Sequence, residues 1–299
     1  MNTLTLKKNN DTNKEKEGIG ICFGTFGELL QGVDVHDRDF LVTFPINRYS
    51  KVSFSKFEQD LLIYPNHKLK SRQLAMMILE YFNKPLKGLI EVTSELPEGK
   101  GLASSSADLV ATARAIKDYY QLPLTNELLE KFLETIEPTD GVMYEGITSF
   151  YHKEVKLKKL LGPLPPLTVL SIDEGGEIDT VGFNKNKKRI SQKDKVNYTR
   201  LLGVLEDSVK GLDLKKIGDV STQSAIYNQN ILKKKSLEDF LKINREIKGL
   251  GVVVAHSGTN IGILLDPKEE DYELKLYRAH DQMMQCGNPM IFHSIGMKE

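Results

Sequence analysis

The segment Leu96-Pro97-Glu98-Gly99-Lys100-Gly101-Leu102-Ala103-Ser104-Ser105-Ser106-Ala107 concentrates groups suited to holding an anion. Two glycines let backbone N–H groups approach a ligand closely. Three consecutive hydroxyls follow where a helical pattern begins. Unpaired N–H groups and the positive end of a helix therefore converge there. Such a strand–loop–helix junction is a phosphate cradle, and a serine in its first turn can touch a phosphate oxygen or a bound Mg2+. It is not a Walker A loop, because Gly99-Lys100 is followed by Gly101 and the four-residue spacer is missing. Spacing alone fits a plain strand-to-helix turn equally well.

Asp140, in Pro138-Thr139-Asp140-Gly141, is the second residue of interest. A carboxylate in such a loop can accept a proton from a substrate hydroxyl, or it can simply cap a turn at Gly141. Lys100 either screens phosphate charge or is solvated. His256 beside Ser257 invites a hydrolase reading, but the chain has no G-x-S-x-G elbow and sequence neighbours rarely form such a pair. The six histidines show no H-x-x-x-H metal spacing. Cys22 and Cys286 are too few for a disulfide scaffold or a four-thiolate zinc site, which points to a reducing, cytoplasmic setting.

The elements that must position these groups are legible as periodicities. Ile19–Phe23, Phe40–Phe44 and Val52–Phe57 read as short strands, His67–Phe82 as a helix and Gly88–Ser94 as a strand. Leu109, Ala113, Ile116 and Tyr120 mark the buried face of a helix that follows the glycine-rich loop. A second helix has Thr125 as N-cap and ends at Pro138. Strands follow at Thr148–His152, Leu157–Leu160 and Leu167–Ile172, with Leu161–Pro166 as the boundary between two halves. The Lys-rich stretch Asn184–Asp194 reads as a solvated loop, followed by helices over about 195–210, 213–230 and 236–248. Gly251–Ala255 and Ile261–Leu265 bracket a tight turn, and a helix (272–284) and strand (Met290–Ser294) finish the chain.

At 299 residues the chain is long enough for about two domains. Residues 1–18 read as a mobile polar tail with no apolar core of a secretory signal. Residues 19–162 and 163–299 form the two halves. Lys and Arg total 41, as do Asp and Glu. Zero net charge argues against nucleic acid or an anionic membrane as the main partner, since both demand a basic excess. No apolar run is long enough for a membrane span.

Three ordered blocks then resemble a known family. Pro97, Gly99, Gly101, Leu102, Ser104 and Ser105 match the pattern P-x-G-x-G-L-x-S-S-A, with Ala103 where glycine is common and Ser106 preceding Ala107. Gly24–Gly32 (GTFGELLQG) and Ala255–Gly262 (AHSGTNIG) match a first and a third block. Together they resemble the GHMP kinase superfamily of galactokinase, homoserine kinase and mevalonate kinase. The strings GTFGELLQG, EPTDGVMYEG and VVVAHSGTNIGILLD are most similar to its L-threonine kinase branch, of the propanediol-utilisation and cobalamin type.

The resemblance implies an α+β GHMP kinase fold. Its N-terminal domain is like ribosomal protein S5 domain 2, and its C-terminal α/β domain is ferredoxin-like. It implies ATP in the loop formed by Pro97, Gly99, Lys100, Gly101, Leu102, Ala103, Ser104, Ser105 and Ser106. Mg2+ is expected on Ser105 and a glutamate near the second helix, Glu137 in preference to Glu130, with Glu134 solvated. Asp140 is the expected base. Thr25, Glu28, Gln31, Ser257, Gly258 and Thr259 are candidates to line the acceptor side; for Glu28 and Gln31, hydrogen bonding of the local turn is an equal alternative. The implied acceptor is a small hydroxy amino acid, first L-threonine, in a cytoplasmic monomer or homodimer. Serine, homoserine or an amino alcohol is an alternative acceptor, and a non-catalytic or decarboxylating member of the fold is a further rival.

Overall fold

The computed structural model describes residues 16–176 and 190–295. The expected tail lies outside the described residues up to residue 15, but Glu17 and Gly18 already belong to a strand. In chain order the strands are β1 (Glu17–Val33), β2 (Asp39–Ser55), β3 (Leu61–Tyr64), β4 (Gly88–Ser94), β5 (Ile147–Tyr151), β6 (Lys156–Gly162), β7 (Thr168–Asp173), β8 (Gly251–Val254), β9 (Asn260–Leu265) and β10 (Met290–His293). The helices are α1 (Leu69–Tyr81), α2 (Ser104–Tyr120), α3 (Asn126–Glu134), α4 (Gln192–Gly211), α5 (Leu214–Asn228), α6 (Leu237–Glu246) and α7 (Tyr272–Met283).

One sheet runs in the order β10-β7-β9-β8-β1-β2-β4-β3, with the β5–β6 hairpin attached to β2. Strands β7 to β10 keep the spatial order fourth-first-third-second, all pairs antiparallel, with helices between the first and second and between the third and fourth. That split β-α-β arrangement is the expected ferredoxin-like topology. It joins β1 at the pairing of Glu28 with Val254.

Where short separate strands were expected, β1 and β2 each run for 17 residues. The glycines of Gly24–Gly27 do not end β1. They fall where its register against β2 shifts between Phe23 and Gly24 and again between Thr25 and Glu28. Bulges of this kind bend a strand and re-aim its side chains without breaking it. The expected loop at 184–194 is also shortened: residues 184–189 lie outside the described residues, and 192–194 open α4. Ser191 caps that helix by accepting the Asp194 N–H at 3.2 Å and donating to its carboxylate at 2.7 Å, an S-x-x-D signature hidden among lysines.

Phe26, Phe40, Phe44, Phe54 and Phe150 are fully buried in the main core. Each contributes about 1.5–3 kcal/mol through apolar area removed from water. Helix α2 packs on β1 and β2, and its buried set covers most of its circumference. Alanines at 107, 111, 113 and 115 let the sheet come close. A smaller cluster built from Leu170, Ile172, Phe240, Val252 and Ile263 fills the C-terminal half. No helix among the described residues is long and apolar enough to cross a membrane.

Candidate active site

The glycine-rich loop leaves β4 and enters α2 at Ser104, whose hydroxyl donates to the Leu96 carbonyl at 2.8 Å and closes the turn. The bulged part of β1 holds it from one side: the Thr25 and Gly27 N–H groups donate to the Leu102 and Gly101 carbonyls at 3.2 and 3.0 Å. The turn between β8 and β9 holds it from the other. Asn260 donates from Nδ2 to the Lys100 carbonyl at 2.8 Å. A Cβ placed on Gly258 would lie 2.2 Å from that same carbonyl oxygen. The three blocks that are far apart in sequence thus meet backbone to backbone.

No side chain caps the N-terminus of α2. Its N-cap is Ala103, at φ +57°. The left-handed region costs a residue with a Cβ about 1–2 kcal/mol, which accounts for the glycine common at this place in the resembling pattern. Ala103→Gly is therefore expected to raise unfolding free energy by about 1 kcal/mol, less than the full strain because glycine loses more entropy on folding. A urea titration checks it through a higher midpoint at unchanged slope.

Two carboxylates face the first turn of α2. Ser105 donates from Oγ to Glu137, and Lys70 of α1 donates to the other oxygen of the same carboxylate. One turn position further, Ser106 donates to Asp140 Oδ2 at 3.2 Å and accepts from the Asp140 N–H at 3.3 Å and the Thr139 hydroxyl at 2.9 Å. Thr139 is buried and its N–H donates to the His152 carbonyl, which fixes the loop that carries Asp140. Burial first, then the charges of Glu28 and Glu137, push the Asp140 carboxyl up to about 7, against the Ser106 hydrogen bond. Glu130 is engaged elsewhere: it accepts from the Tyr144 hydroxyl at 2.9 Å and the Leu157 N–H at 2.8 Å. Of the two candidate metal glutamates, only Glu137 bonds to Ser105.

Glu28 does not serve a local turn. Its Oε2 accepts from the His256 N–H at 3.2 Å and pairs with His256 Nδ1 at 2.7 Å. His256 Nε2 in turn lies 2.8 Å from Ser224 Oγ, which accepts the Gln31 N–H at 3.1 Å. His256 does not pair with its neighbour Ser257, which is exposed; the serine it meets stands 32 residues away on α5. Gln31, Gly32, Tyr198, Asn228, Ile231 and His256 line a cleft beside this chain of bonds. Thr25 is buried in β1, held through its backbone, and Thr259 is buried next to Gly258. Pro97 and Gly99 are exposed, and a Cβ on Gly99 would meet nothing within 4 Å.

Lys100 is not simply solvated: its ammonium lies 2.7 Å from Asp173 Oδ2 and donates to the Gly176 carbonyl. Although burial opposes it, this bond helps hold the Asp173 carboxyl below its ordinary value. A second lysine went unread in sequence. Lys234, in the run Lys233-Lys234-Lys235, is 3% exposed and donates to the Gly258 carbonyl. A lysine triplet after a helix reads as solvent-facing, so no signal separated its middle member.

Residues 70–147 match the family model of the GHMP kinases N terminal domain. The chain is 27% identical over 260 residues to the L-threonine kinase of Salmonella typhimurium, covering 85% of this chain and 84% of that one. It is 26% identical to the L-threonine kinase of Citrobacter freundii, with 85% and 88% covered. Among solved structures, homoserine kinase from Cytophaga hutchinsonii superposes with a TM-score of 0.72 at 16% identity over 98% of this chain and 97% of that one, a likeness of fold. With the domain match over the residues that carry the glycine-rich loop, L-threonine kinases similar along most of its length and the same fold, the chain is a phosphotransferase similar to the GHMP kinases.

Proposed function

We propose that the protein transfers the γ-phosphoryl group of ATP to the side-chain hydroxyl of an amino acid, and that the acceptor is L-threonine. The observation that carries the chemistry is one short stretch of α2. Its uncapped N-terminus, Ser105 paired with Glu137, and Ser106 paired with Asp140 lie within a single turn. The acceptor class follows the two curated relatives, both L-threonine kinases.

In this reading the loop 97–106 and the positive end of α2 hold the triphosphate, and residues 19–162 and 163–299 are the halves between which the acceptor sits. Asp140 takes the hydroxyl proton as the oxygen attacks the γ-phosphorus and the bond to the β-phosphate oxygen breaks, releasing ADP. Ser105 and Glu137 offer adjacent hard oxygen donors, the kind Mg2+ takes when phosphates and water complete its shell. Among the described residues no group of three or more His, Cys, Asp or Glu could hold a metal ion, which suits a metal held largely by its nucleotide. Mg2+ bound there would neutralise phosphate charge. Lys70, already on Glu137, adds a further cation on that side. A cytoplasmic location, where ATP is abundant, suits this activity.

The test incubates the protein with ATP, Mg2+ and a panel of L-threonine, L-serine and L-homoserine, followed by 31P NMR. A phosphomonoester is expected from threonine ahead of the other two. No phosphoester from any of the three would remove the amino-acid kinase reading, and a preference for homoserine or serine would reassign the acceptor within it.

A further inference from the structure

Lys234 is a buried cation left short of partners. Its side chain leaves the segment between α5 and α6, and its ammonium makes a hydrogen bond to one backbone carbonyl, that of Gly258. No carboxylate among the described residues lies within ion-pair distance of it. Glu174, Glu28 and Asp173 are near enough to act on it through their charge. Asp173 is taken by Lys100, and Glu28 bonds to His256. Glu174 accepts the Ser236 N–H at 2.7 Å. An ammonium buried with one neutral acceptor carries a desolvation cost that a bound anion would offset. Burial depresses the Lys234 ammonium to about 8 against the pull of those three carboxylates, so it remains largely charged at neutral pH.

The position says which anion. Lys234 bonds to Gly258, two residues from His256, which pairs with Glu28 at 2.7 Å, so the lysine and Glu28 meet at one turn, and the charge of Glu28 reaches the proposed base Asp140. The phosphate side already has its own cations in Lys70 and Lys100, together with the α2 N-terminus. A hydroxy amino acid with its hydroxyl at Asp140 carries one further anionic group. We propose that Lys234 receives the α-carboxylate of the acceptor, an inference that rests on the amino-acid kinase reading. Glu28 engages His256 through Oε2 alone, and its negative charge matches the α-ammonium of the same zwitterion.

The experiment compares L-threonine with 1-amino-2-propanol, which keeps the hydroxyl and amine and lacks the carboxylate. Breaking a buried, hydrogen-bonded charge pair lowers affinity by about 30-fold or more. The wild-type protein is therefore expected to favour threonine in kcat/KM by at least about 30-fold. Lys234→Met is expected to erase most of that ratio through a threonine KM raised far more than the KM for ATP, which rises only as far as the freed Gly258 turn disturbs the phosphate loop. Lys234→Gln, which retains a donor for the Gly258 carbonyl, is expected to lose the ratio equally and serves where the methionine variant does not fold. Equal wild-type use of both acceptors overturns the proposal. So does a folded variant that keeps the preference, or one that loses both acceptors in proportion, which assigns Lys234 to holding the Gly258 turn. A wild-type protein that phosphorylates no hydroxy amino acid fails the underlying reading instead.

Discussion

Asp140→Asn is expected to lower kcat by about 10²–10⁴-fold, the range over which a positioned base contributes. ATP binding should stay within about a factor of three, because the asparagine still accepts from Ser106 and lies outside the glycine-rich loop. Single-turnover assays together with nucleotide titration separate the two quantities, and an unchanged kcat removes Asp140 from the base role. The pH dependence has a definite sign. The carboxyl is raised to about 7, so the proton-accepting form is lost as pH falls through that value. Wild-type kcat should fall on the acid side of about pH 7, and the residual activity of the asparagine variant should lack that limb. Stability runs the other way. A carboxyl with a folded value of about 7 and an ordinary value of 3.8 binds more protons in the folded protein between those limits. Ionising it in place therefore destabilises the fold as pH rises through this window. The asparagine variant should melt higher than wild type at pH 8, and that gain should shrink towards pH 4.

The order of elements and the glycine-rich loop were legible because they are local. Periodicity marks α2 through Leu109, Ala113 and Ile116, all buried, and a phosphate cradle is a property of a dozen consecutive residues. The carboxylates at 137 and 140 were legible for a related reason, since a helix end and a proline place them in one loop. What the residues alone left open was which side chains meet across the sheet. Glu28, Ser224 and His256 are spread over 228 residues and join only because β8 pairs with β1. The run of lysines at 233–235 concealed Lys234 because burial of a lysine is decided by tertiary packing. Gly24–Gly27 leave β1 uninterrupted for the converse reason. Glycines suggest a loop, but pairing with β2 on both sides of the bulges carries the strand through.

Gly258→Val is expected to cost about 3 kcal/mol of stability and about 100-fold in kcat/KM for ATP, through space alone. The Cβ would lie 2.2 Å from the Lys100 oxygen and 2.3 Å from the Gly101 nitrogen, and both are backbone atoms that cannot swing aside. Gly258 cannot retreat easily, since its carbonyl is held by Lys234 and the neighbouring Asn260 grips Lys100. The loop at 100–101 must therefore move, and displacing a positioned group by about 1 Å costs on the order of 100-fold. Gly99→Ala is the matched control. Its Cβ meets nothing within 4 Å, so only the strain of φ +72° is added, about 1–2 kcal/mol. Thermal melts and ATP titrations of the two variants separate the effects. Gly99→Ala should lose stability with ATP affinity largely retained, while Gly258→Val should lose both. Comparable ATP affinity in the two would show that the β8–β9 turn does not set the shape of the phosphate loop.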